Sequence, residues 1–214
     1  AEKRLVEEAQ RNRAVFIAEA SHEIRTPINA VSGALDLISR EALPQPARQH
    51  LGLAPAATTR LQEFVNNVLD LSKADAGRLA IHLQDEDVAA ALADVVVMLR
   101  HLADHKGVQL DLDLDPAIAS RLKVDSLRLR QVVMNLLSNA LKFTPRGGRV
   151  LLRVQVVHNV ADEQRLVLTV DDTGAGIPPD RLERLFQPYE QAHQDNNLRQ
   201  PGSGLGLVLC KRLM

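Results

Sequence analysis

The run Ser21-His-Glu-Ile-Arg-Thr-Pro-Ile28 sets an imidazole, a carboxylate and a hydroxyl close together, with a proline just behind the hydroxyl. On a helix His22 and Thr26 stand at i and i+4 and share a face, and Glu23 can lean beside the imidazole. A neutral imidazole can attack phosphorus through one ring nitrogen if an acceptor holds the proton on the other. Glu23 is the obvious acceptor and general base. Thr26 could position a water near a phosphorylated imidazole. The plainer alternative, a polar residue on a solvated helix face, is the reading for His50, His82, His101, His105, His158 and His193. The long, specific string around His22 sets it apart. A metal site does not fit, because no second histidine lies at i+3 or i+4 from His22.

Far downstream, the segment Ser126 to Phe143 divides along helical spacing. Leu129, Val132, Val133, Leu136, Leu137 and Ala140 form a core stripe, and Arg128, Gln131, Asn135, Asn139 and Lys142 line another face. An amide carbonyl together with phosphate oxygens is a plausible Mg²⁺ shell, since that ion prefers hard oxygen ligands and keeps several waters. Lys142 would supply point charge to phosphates. Asp172-Thr-Gly-Ala-Gly-Ile follows a strand, where a buried carboxylate can accept from an amino group of adenine. Gly174 and Gly176 would let the backbone approach a flat base. Gly202-Ser-Gly-Leu-Gly-Leu, with Gly204, Leu205 and Gly206, opens the last helix, and free N–H groups at a helix start suit phosphate oxygens. It is neither a Walker loop nor a dinucleotide fingerprint. Between the two glycine clusters, Leu185-Phe-Gln-Pro-Tyr-Glu-Gln is an apolar spot in a polar stretch. It reads as a lid, or as a surface loop that Phe186 anchors to the core.

A histidine and a phosphate-binding region on one chain point to phosphoryl transfer, and the rest of the chain must bring them together. The first 41 residues read as one long helix, with Leu5, Ala9, Phe16 and Ala20 as a partial stripe and Pro27 as a kink. Leu43-Pro-Gln-Pro46 breaks it, and a second helix runs from about Ala47 to a stop at Gly77, with Pro55 bending its start. Its apolar face is Leu61, Phe64, Val65, Val68, Leu69 and Leu71. A two-helix hairpin cannot cover such a face alone, so two copies forming a four-helix bundle are expected, a homodimer. From about Ala80 the pattern changes: a helix at Val88 to His105, a strand at Val108 to Leu114, the helix at Ser126 and a hairpin of Arg149 to Val157 with Arg165 to Val170. A loop-rich stretch follows from Asp172 to Gly202. This is an α+β chain, a helical hairpin followed by an α/β sandwich.

Composition sets the outer bounds. The 214 residues make one large domain or two small ones, and 45% apolar with only 2% aromatic residues means a core of Leu, Val, Ile and Ala. A net charge of -1 argues against a nucleic-acid surface. Cys210 is the single cysteine, so no intramolecular disulfide forms, and a reduced, cytosolic setting is the simplest fit. No signal peptide and no membrane-spanning run is visible. The chain opens at Ala1 inside a charged helix, as a piece of a longer protein would, with any membrane anchor upstream.

Taken together, these residues resemble the catalytic core of a sensor histidine kinase of a two-component system. Ser21 to Ile28 looks like the H-box of that family, and Arg130-Gln-Val-Val-Met-Asn-Leu-Leu-Ser-Asn-Ala-Leu-Lys-Phe-Thr its N-box. Asp172-Thr-Gly-Ala-Gly is similar to the first glycine box, Phe186-Gln-Pro-Tyr to the F-box and Gly202-Ser-Gly-Leu-Gly to the second. Leu71-Ser-Lys-Ala-Asp-Ala-Gly matches the usual end of the second bundle helix. The resemblance implies a dimerisation and phosphotransfer domain over 1–77, in which 1–20 is an incoming signalling helix. It further implies a hinge over 78–84 and an ATP-binding domain of the gyrase, chaperone and histidine-kinase superfamily over 85–214, truncated at its C-terminus. His22 would be the phosphoacceptor, Glu23 the base and Thr26 a residue for dephosphorylating the partner, an activity of many but not all members. Asn139 would be the main Mg²⁺ ligand, Asn135 and Lys142 would stand near the ATP phosphates, and Asp172 would read adenine. The implied partners are a second copy and a response-regulator receiver domain, separate or fused downstream as in the hybrid kinases that the wording around the H-box and Tyr189-Glu-Gln resembles. The implied location is a cytoplasmic domain of a protein in the bacterial inner membrane. Two rivals remain: a catalytically inactive modulator that pairs with another kinase, and an ATPase of the gyrase type. The latter usually carries a glutamate on the N-box helix, near where Asn135 stands, and would leave the H-box unexplained.

Overall fold

A computed structural model describes residues 24, 26–39, 44, 54–77, 79–160, 163–182, 184–187 and 204–214. His22, Glu23, Tyr189, Gly202 and the incoming segment 1–20 lie outside the described residues. The chain divides into two compact units, Ala1–Leu79 and Ala80–Met214.

In the first unit, residues 26–39 form α1 and Ala54–Asp75 form α2. Pro27 lies within the helical run of α1. Gly77, at φ 64, ends the second helix in the left-handed conformation that glycine adopts without a steric cost. Ile28, Val65 and Leu69 are the buried apolar residues described in this unit. Ile28 and Val65 sit beside a polar pair in which Gln62 Nε2 donates to Asn29 Oδ1 at 2.9 Å. Leu61 and Phe64, expected on the apolar face, are 48% and 39% exposed.

The second unit is a two-layer sandwich. Its elements run β1 (Gln84–Glu86), α3 (Val88–Lys106), β2 (Gln109–Leu114), β3 (Leu122–Val124), α4 (Ser126–Phe143), β4 (Arg149–Val160), β5 (Glu163–Asp172), α5 (Pro179–Leu182) and α6 (Gly206–Leu213). Strand β4 is central, parallel to β2 and antiparallel to β5, while β1 and β3 pair separately. Alternation along β4 buries Val150, Leu152 and Val154 completely under the helices. Facing them, α3 buries Val88, Ala91, Leu92, Val95, Val96, Leu99 and Ala103, and α4 buries Val132, Val133, Leu137, Ala140 and Leu141. Both helices start from an aspartate cap: Asp87 accepts from the Ala90 N–H and Asp125 Oδ1 from the Arg128 N–H. The other oxygen of Asp125 accepts from the His82 N–H at 2.9 Å. Partial burial pushes the Asp125 carboxyl up. The N–H groups of His82 and Arg128 and the charges of those two side chains outweigh burial and hold it below the ordinary carboxylate value.

The paired strands β1 and β3 were absent from the sequence expectation. Strand β4 runs on to Val160 and β5 spans Glu163–Asp172, longer than periodicity suggests; near the turn, a register shift between Val156 and His158 interrupts the alternation.

Candidate functional site

The row Asn135, Asn139 and Lys142 lies on the partly exposed side of α4, with the buried stripe on the other. Two glycine segments distant in sequence meet this helix. A methyl added at Gly206 would stand 3.2 Å from Asn135 Oδ1, so glycine lets the first turn of α6 approach α4. A methyl at Gly174 would fall 2.9 Å from the Phe143 carbonyl oxygen and 2.6 Å from Asp172 Oδ1, which only a glycine avoids. Asp172, Gly174, Asn135 and Gly206 are thereby gathered along one helix.

Asn135 Nδ2 is buried and meets no hydrogen-bond acceptor among the described residues. An orphaned buried donor costs about 1–3 kcal/mol, so an incoming polar group would find it unsatisfied. Beside it, Cys210 Sγ donates to the Val132 carbonyl at 3.8 Å. Burial pushes the Cys210 thiol up; the Asn135 amide and the residue's own N–H pull weakly the other way, although that amide lacks hydrogen-bond geometry to any acceptor. Burial also pushes the Lys142 ammonium down, and its Nζ lies 4.7 Å from the centre of the Phe143 ring.

Asp172 departs from expectation. Its place in the alternation matches Leu166, Leu168 and Val170, which pack on the core, yet its carboxylate is exposed rather than buried. It is the last residue of β5, an edge strand among the described residues, and no described segment covers it. Its Oδ1 accepts from the Gly174 N–H at 2.8 Å, an Asx turn that bends the chain toward the end of α4. Gly176 follows at φ 69. Thr173, between Asp172 and Gly174, accepts the Arg149 N–H at 2.9 Å through its hydroxyl and ties this turn to the start of β4. A hydroxyl flanked by Asp and Gly at a strand end is the sequence signal for that tie.

At the other end, Gly204 stands at φ 68 and Leu205 is fully buried. Leu205 is the N-cap residue of α6 and supplies no side-chain capping bond of its own. Phe186 does not anchor its loop in the core: it is 44% exposed, with Lys211 Nζ 5.2 Å from its ring centre. Thr26 is exposed on α1. Among the described residues, no His, Cys, Asp or Glu side chains gather in a group of three able to hold a metal.

Residues 12–77 match the family described as His Kinase A (phospho-acceptor) domain, and residues 124–214 match Histidine kinase-, DNA gyrase B-, and HSP90-like ATPase. The chain is 35% identical over 213 residues to signal transduction histidine-protein kinase BarA of Escherichia coli K12, covering 99% of this chain and 23% of that one. It is 33% identical over 219 residues to hybrid signal transduction histidine kinase A of Dictyostelium discoideum, covering 100% of this chain and 10% of that one. It thus spans about a quarter or less of these two relatives. Full-length ShkA in complex with AMPPNP superposes at a TM-score of 0.73 with 30% identity, over 92% of this chain and 40% of ShkA. Histidine kinase ThkA in complex with response regulator protein TrrA shares the fold at a TM-score of 0.60 and 20% identity, over 99% of this chain and 58% of that one. The first matched domain contains the acceptor string and the second the gathered α4 site, and the chain belongs to the sensor histidine kinases.

Proposed function

We propose that this chain transfers the γ-phosphoryl group of ATP to its own His22, and then to an aspartate of a response-regulator receiver domain. The observation that carries this reading is the convergence of both glycine segments on the α4 face that holds Asn135, Asn139 and Lys142. The complex of its relative ShkA with AMPPNP supports a nucleotide there.

The roles follow from the chemistry. Asp172 accepts from the adenine amino group, and Gly174 and Gly176 let the base lie close. Lys142 and the first amides of α6, reached through Gly202, Gly204, Leu205 and Gly206, attract the phosphates. The unpaired Nδ2 of Asn135 donates to a phosphate oxygen. The Asn139 amide oxygen is a hard ligand that fits Mg²⁺ held chiefly by phosphate and water, and this ion supplies charge neutralisation. Phe186 and its neighbours close over the site. Glu23 holds the proton on one imidazole nitrogen of His22 while the other forms the N–P bond, as the bond from the γ-phosphorus to the bridging oxygen breaks and ADP leaves. Thr26 places a water that attacks the phosphorus of the partner's phosphorylated aspartate, so that the bond to the carboxylate breaks and inorganic phosphate leaves. Positioning and charge neutralisation supply most of the rate.

Homodimerisation through the hairpin covers the exposed faces of Leu61 and Phe64. Among the described residues no helix is long and apolar enough to cross a membrane. In the proposed arrangement a membrane anchor lies upstream in the sequence, with this segment in the cytoplasm. Incubation with γ-labelled ATP and Mg²⁺ tests the reading. Wild type should take up acid-labile, alkali-stable label, and His22→Gln should take up none while still binding nucleotide. Acid-labile label retained on His22→Gln would sink the assignment.

A further inference from the structure

The last turn of α4 lacks a donor that a helix would normally find. The Leu141 carbonyl would be met by the N–H of residue 145, but that residue is Pro145 and has none. Thr144 is already extended, at φ -79 and ψ 125, and its own N–H closes on the Ala140 carbonyl. The chain leaves the helix there, and the carbonyls of Leu141 and Lys142 need an outside partner, the first of them on a residue only 1% exposed.

Lys106 supplies it. This residue ends α3, and its Nζ donates to the Leu141 and Lys142 carbonyls at 2.6 Å each. Both bonds are charge-assisted, and a cation at a helix C-terminus also meets the favourable end of the dipole. The lysine is held in place by the next residues. Gly107 turns at φ 70, its carbonyl accepts from the Gly147 N–H at 2.7 Å, and the Gln109 N–H donates to the Gly148 carbonyl at 2.9 Å. The end of α3 and the end of α4 are thus stitched together around one ammonium.

We propose that Lys106 is a positioning residue for the nucleotide site: by holding the final turn of α4 it fixes where Lys142 presents its ammonium to phosphate. It touches no nucleotide and acts through the backbone of Leu141 and Lys142. The Phe143 carbonyl, next along, is the one that Gly174 packs against, so the same turn also forms the ledge for the first glycine segment. The inference rests on the phosphate role of Lys142 proposed above.

A double-mutant cycle tests it. Calorimetry on the whole chain with Mg²⁺ and the imido analogue of ATP compares wild type, Lys106→Met, Lys142→Ala and the pair. Each single variant should bind about tenfold more weakly, the scale of one charge-assisted hydrogen bond. The pair should bind no more weakly than the worse single variant. Lys106→Arg, which keeps charge and donors, should recover most of the affinity. The proposal is overturned by wild-type affinity in Lys106→Met. It is equally overturned if Lys142→Ala keeps its full effect in that background, which marks Lys106 as merely structural. Wild-type affinity in Lys142→Ala alone identifies the phosphate role of Lys142 as the failing step, and the proposal falls with it. If Lys106→Met melts below the assay temperature, the whole cycle is run at a lower temperature at which its melt shows it folded, and is read the same way.

Discussion

The two units solve the problem of burial differently. In the α/β unit, apolar stripes on α3 and α4 meet the inner face of β4, and large side chains such as Leu92, Leu137 and Leu152 are almost wholly excluded from water. In the helical unit the described burial amounts to Ile28, Val65 and Leu69, while Ile24, Val31, Leu37, Leu61 and Phe64 remain exposed. Both have ample apolar sequence. The difference is geometric: a sheet offers a broad surface against which two helices can finish a core, whereas a two-helix hairpin offers only one seam. The α/β unit therefore completes its core within one chain, whereas the described part of the hairpin leaves apolar side chains uncovered.

The sharpest way to break this contrast is to damage the self-sufficient core. Leu152→Ala should cost about 2–5 kcal/mol, as large-to-small changes at fully buried sites do. It should lower the melting temperature of the α/β unit independently of protein concentration. A concentration-dependent melt would show that this unit too relies on a partner. The converse is Phe64→Ala. If the hairpin is finished by a second copy, sedimentation should show dimer dissociation strengthened about tenfold, close to 1.4 kcal/mol, with the α/β melt unmoved. An unchanged dimer would mean that the exposed face serves something else. The smallest effect is expected at Asp125. Asp125→Ala should cost about 1 kcal/mol, the usual worth of an N-cap. Because the folded carboxyl is held below its unfolded value, its contribution is complete above the unfolded value and fades as pH falls through the folded one. A series of melts at falling pH should therefore show wild type and Asp125→Ala converging only on the acid side of the ordinary carboxylate range. Convergence nearer neutrality would contradict the depressed value.

The same contrast explains what the sequence could reveal. Helices α3 and α4 announced themselves because their stripes are buried against the same chain, so pattern and packing coincide. The α4 row of Asn135, Asn139 and Lys142 was legible for the same reason: it is what the stripe leaves over. The strands β1 and β3 were not, because three residues carry no period and their pairing joins Gln84–Glu86 to a segment far along the chain. The burial of Asp172 was misjudged because alternation gives the side of a strand on which a residue lies, and says nothing of what covers the sheet edge. The donor role of Lys106 was hidden for a different reason. A lysine at a helix end reads as solvated, and only the pairing of Leu141 with Pro145 marks the acceptor that it serves.

Asp125 spends its two oxygens on different segments, one on the first turn of the nucleotide helix and one on the amide of His82. That makes a single backbone proton a gauge. Deuterium uptake at the His82 amide should report how firmly the chain entering the α/β unit is clipped to the helix bearing Asn135 and Asn139, and should do so without any dye or turnover.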